Sequence, residues 1–120
     1  SMTFYKKNIF DPVDMMNETV ALGMEWANDK TAYELLKDTE SSLKSEIFER
    51  LKNDGHNTTS AEKLIAKDNK FIEHTKQKNI ALKKFLTSQV RYESKKKLDD
   101  LLQTDEVNKR HEMKMSGYQT

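Results

Sequence analysis

The chain has 120 residues, 34% of them charged and 35% hydrophobic, with three Gly, one Pro and no Cys. That is the length of one ordinary domain, with little apolar surface from which to build a large core. The 21 basic and 20 acidic residues leave a net charge of +1, so the chain as a whole is no polycation. Scarce Gly and Pro speak against a sheet with Gly-rich turns, and the missing Cys excludes disulfides, thiolate catalysis and Cys-ligated zinc. What remains is the composition of long helices packed against other helices.

Residues 1–10 carry no period and read as a loose arm. Asp11-Pro12-Val13-Asp14 then reads as a helix start: Asp11 caps, Pro12 fits a position whose N–H is not needed, and Asp14 suits the positive end of the helix dipole. Val13, Met16, Val20, Met24 and Ala27, then Leu36, Leu43, Ile47 and Leu51, recur at helical steps and predict one apolar stripe along an acidic helix over 11–54. Gly23 weakens that helix without ending it. Trp26, with Tyr33 on the same face, reads as a packing anchor, and Met15, Met16 and Met24 as adaptable core or interface side chains.

Asn53-Asp54-Gly55 predicts a stop and 55–59 a turn. Thr59-Ser60-Ala61-Glu62 has the form of a capping box, opening a second, basic helix over 60–115. Its stripe runs through Leu64, Phe71, Leu82, Phe85, Leu86, Leu98, Leu101 and Leu102, with a weak break at Gln103-Thr104-Asp105-Glu106, and 116–120 reads as a frayed tail. The expectation is an all-α, single-domain helical hairpin. One hairpin of this length buries a narrow seam, so oligomeric packing is expected as well. The packing or oligomer residues are Trp26, Leu43, Ile47, Phe71, Leu82, Leu86 and Leu98.

Charge is unevenly placed. Residues 11–54 hold 11 acidic and 5 basic side chains, whereas 76–97 hold eight basic ones against Glu93 alone. Lys84, Arg91 and Lys95 follow steps of seven and four, with Ser88 between them, on a face opposite Leu82 and Leu86. A basic stripe with small hydroxyls suits a phosphate backbone, and Tyr92 suits stacking on an unpaired base. The candidate nucleic-acid residues are therefore Lys83, Lys84, Arg91, Tyr92, Lys95, Lys96 and Lys97. The plain alternative is a solvated helical face that pairs with the acidic first helix.

Other chemistry is thin. His56, His74 and His111 lie far apart with no metal-ligand spacing, and no phosphate loop or nucleotide turn occurs. No catalytic residue, metal or cofactor is expected. With no apolar run near the ~18 residues of a membrane span and no signal-type leader at Ser1–Lys7, a soluble cytoplasmic protein is the expectation.

The run Gln77-Lys78-Asn79-Ile80-Ala81-Leu82-Lys83-Lys84-Phe85-Leu86 resembles a segment of the phage recombination mediators of the UvsY type, in which a similar helical run leads into basic residues. The resemblance implies a small, oligomeric, all-helical accessory protein of phage type, placed in the host cytoplasm. It would bind single-stranded DNA and help load a recombinase onto strands held by a single-strand binding protein. Lys83 and Lys84 match the family's basic positions, whereas Phe85 stands where the family has another basic residue. Against it stands a second reading, a helical protein–protein interaction module (adaptor, inhibitor or structural subunit) that binds no nucleic acid.

Overall fold

The computed structural model of the chain describes residues 11–116, so the expectations for the arm at 1–10 and the tail at 117–120 lie outside the described residues. Three helices follow in order: α1 (Pro12–Asn53), α2 (Thr58–Ile65) and α3 (Asn69–Met115), with no strand among the described residues. The all-α expectation holds.

The helix starts follow the backbone's need for partners at its first N–H groups. Asp11 meets it for α1, its Oδ1 accepting from Val13 N at 2.9 Å with Pro12 in the first helical position. Gly55, at φ 101°, provides the left-handed residue after α1. The expected capping box is not what opens the next helix. Asn57 caps α2 from two residues earlier than Thr59, its Oδ1 accepting from Ser60 N at 2.8 Å.

A single helix over 60–115 is also corrected. The chain turns at Ala66 and Lys67 and restarts at Asn69. Asp68 makes the restart: its carboxylate accepts from Lys70 N at 2.9 Å, its carbonyl from Ile72 N, and its other carboxylate oxygen from the Arg50 guanidinium. Past that point α3 runs unbroken through Thr104 to Met115, so the weak break at 103–106 is absent.

Two compact units are distinguished. In the unit Trp26–Thr87, α1 and α3 pair antiparallel as a hairpin around α2: partners step backward along α3 as they step forward along α1, from Glu46–Lys70 to Glu40–Lys78 to Asp29–Lys84. Its core is Ile47, Leu51 and Ala61, with Leu43, Phe48, Leu64, Ile65 and Phe71 packed against them. In the other unit, α1 up to Glu25 pairs antiparallel with α3 from Ser88 onward. Among its described residues no hydrophobic side chain is fully buried.

The predicted α1 stripe divides into two faces. Leu43, Ile47 and Leu51 pack inward, whereas Val13, Met16, Val20, Met24 and Ala27 are exposed. The reason is arithmetic: Ala27 to Leu36 is nine residues, about two and a half turns, which carries the pattern to the opposite side of the helix.

Candidate interaction surfaces

The seam between α1 and α3 combines apolar contacts, such as Leu43 and Phe71 against the core of Ile47, Leu51 and Ala61, with polar and charged pairs. In the unit ending α3, Thr19 donates to the Asp99 carboxylate, and the Lys95 ammonium donates to the same carboxylate, to Thr19 Oγ1 at 3.3 Å and to the Met15 carbonyl at 3.3 Å. Arg91 pairs with Glu25 at 3.2 Å. A Cβ added at Gly23 would stand 3.1 Å from Tyr92 Cε1, so the ring would have to give by a few tenths of an ångström to accept one. Ser88 is buried at 2% exposure.

The Trp26–Thr87 unit repeats the theme. Lys84 lies 3.6 Å from the buried carboxylate of Asp29, and Lys78 pairs with Glu40 at 2.8 Å. Tyr33 stacks on Phe85 with ring centroids 5.9 Å apart, and Lys44 stands over the Phe71 ring. Phe85 is thus a packing position in this chain.

These contacts set the electrostatics. The Lys78 hydrogen bond holds the Glu40 carboxyl below its ordinary value, and the Arg50 hydrogen bond does the same for Asp68. At Asp99 burial pushes upward, but the bonds from Lys95 and Thr19 outweigh it and the net direction is down.

The orientation expected of α3 is therefore reversed. Lys84, Ser88, Arg91 and Lys95 do share a face, but it is the face turned toward α1, and its cations are engaged within the chain. Lys95 keeps only 14% of its side chain exposed. Tyr92 lies half-buried against Gly23, with Lys96 Nζ 5.5 Å from its ring centroid, and is not presented for stacking on a base. Lys83, Lys96 and Lys97 remain exposed and make no ion pair among the described residues.

The apolar candidates divide as well. Trp26, Leu43, Ile47, Phe71 and Leu82 are buried or half-buried, whereas Leu86 and Leu98 face outward, with Val90 at 62% and Leu101 at 68% exposed. Sequence reasoning missed Thr19, Asp29 and Asp99. The first and last are 80 residues apart, and nothing in local spacing announces such a pair.

No group of His, Asp and Glu among the described residues is placed to hold a metal ion, and no described helix is long and apolar enough to cross a membrane. No protein-family model, curated protein or solved structure matches the chain.

Proposed function

We propose that the chain is a non-catalytic helical interaction module that works by assembling through the apolar faces its own pairing leaves outward. The observation that carries this reading is the apolar surface left outward: Val13, Met16, Val20, Met24, Val90 and Leu101 stand more than half exposed, while Thr19, Lys95 and Asp99 occupy the seam beside them. Contiguous exposed apolar residues mark interaction sites, and helices gain most of their stability from packing such faces.

A second reading, single-strand DNA binding in recombination as a phage-type mediator acting with a recombinase or single-strand binding protein, is supported by two things. One is the likeness of residues 77–86 to the mediators; the other is the exposed trio Lys83, Lys96 and Lys97. These three lysines, one in one unit and two in the other, are fewer than the seven residues expected from the sequence.

Fluorescence anisotropy of a labelled single-stranded oligonucleotide separates the readings. The module reading expects no binding at low salt by folded protein, while an apolar dye is taken up by the dilute native chain. Binding that falls steeply with salt and disappears in the triple variant Lys83→Ala, Lys96→Ala, Lys97→Ala would overturn it in favour of the nucleic-acid reading.

A further inference from the structure

Met16, Val20 and Met24, with Val13 one turn before them, form a continuous outward stripe on α1, exposed at 60%, 54%, 62% and 59%. No described residue of their own unit covers them, because that unit's seam runs along Met15, Thr19 and Gly23. We propose that this stripe is the seam on which a second copy of the chain docks, α1 against α1, antiparallel, with the twofold axis passing at Val20. The proposal rests on the interaction-module reading and names its partner.

Three observations select a second copy. The first is symmetry of spacing. Met16 lies four residues before Val20 and Met24 four after it, so the stripe reads the same from either end. An isologous interface requires a surface that complements itself, and here Val20 meets Val20 of the second copy while Met16 meets Met24.

The second is charge. Asn17 and Gly23, which shoulder the stripe, are uncharged, and Asp14, Glu18 and Glu25 lie more than about 100° around the helix at 100° per residue. Two copies therefore meet without opposing like charges. Over residues 11–25 there are four carboxylates and no cation, which disfavours a nucleic acid or an anionic lipid surface as the occupant.

The third is continuity. The outward apolar residues of α3 in the same unit, Val90, Leu98 and Leu101, are separated by Glu93, Ser94 and Lys97. The α1 stripe has an apolar side chain at every turn from Val13 to Met24, and its methionines adapt to a facing helix. It spans about three turns, less than a standard interface. The association expected is accordingly reversible and concentration-dependent.

The chain has no cysteine, so single introduced thiols report the geometry directly. Under mild oxidation Val20→Cys is expected to cross-link to itself, and Met16→Cys to cross-link to Met24→Cys in a mixture but not to itself. Sedimentation equilibrium is expected to show a monomer–dimer balance, with Val20→Asp weakening it about tenfold or more at unchanged helical circular dichroism. Self-cross-linking of Met16→Cys and of Met24→Cys would overturn the antiparallel twofold. A monomer at every concentration would overturn the second copy as occupant. In that case, dye uptake lost in Met16→Asp would leave the module reading standing, and absence of dye uptake would end both.

Discussion

At the scale of single residues, the lysines of α3 divide by what they touch. Lys95 is mostly buried and shares the Asp99 carboxylate with Thr19. Removing it leaves that carboxylate, more than two-thirds covered, without its cation. Lys95→Ala is expected to cost about 1–3 kcal/mol of stability, the range for stripping a partner from a buried polar group. Lys97 is exposed and makes no ion pair among the described residues, so Lys97→Ala is expected to stay within about 0.5 kcal/mol of the parent. Chemical denaturation of the two variants side by side checks this. Equal losses would mean that the two cations share one environment. A triple change of Lys95, Lys96 and Lys97 to Ala mixes a seam residue with surface ones and would confuse loss of binding with loss of fold.

At the scale of elements, Asp68 serves the start of α3 in two ways. It caps the first turn through Lys70 N and holds Arg50 of α1 through its second oxygen. Asp68→Ala removes both and is expected to cost about 1–2 kcal/mol. Asp68→Asn keeps the cap and is expected to recover about half, as read by thermal unfolding. These caps also show what a sequence makes legible. Asp11-Pro12 and Gly55 act through their immediate neighbours, and both were readable. Asn57 competed with a well-formed Thr59/Glu62 motif that the structure does not use, and its advantage lies in where α1 ends. The faces were less legible for another reason. A helix shows its apolar residues in one dimension, and which face packs depends on partners such as Thr19 and Asp99, 80 residues apart. Apolar stripe and buried stripe coincide from Leu36 to Leu51 and part company from Val13 to Ala27.

At the scale of the whole molecule, stability leans on carboxylates that must stay ionised. Glu40, Asp68 and Asp99 all titrate below their ordinary values when folded. A group whose folded value is depressed contributes stability above its unfolded value and loses it as the pH falls through the folded one. The chain is therefore expected to hold a flat unfolding temperature from neutral pH to near pH 5, then to lose it from about pH 4 downward. Asp99→Asn should show a lower plateau and a shallower acid limb. A parent whose unfolding temperature is unchanged between about pH 4 and pH 2 would contradict the role given to these pairs.

The placement of Ile47, Leu51 and Ala61 beside the Asn57 cap has a consequence in time. These are the buried apolar side chains among the described residues, and Leu51 and Ala61 are ten residues apart along the chain. Closing so short a segment costs little chain entropy, whereas bringing Thr19 to Asp99 without that start requires closing a loop eight times as long. Folding is therefore expected to close like a zip from its fixed end, with the Leu51–Ala61 turn forming first and each later pairing of α1 with α3 closing only the small gap left by the one before it. Amide exchange should follow the same order in reverse, with the helix ends remote from the turn taking up deuterium long before the amides around Ile47.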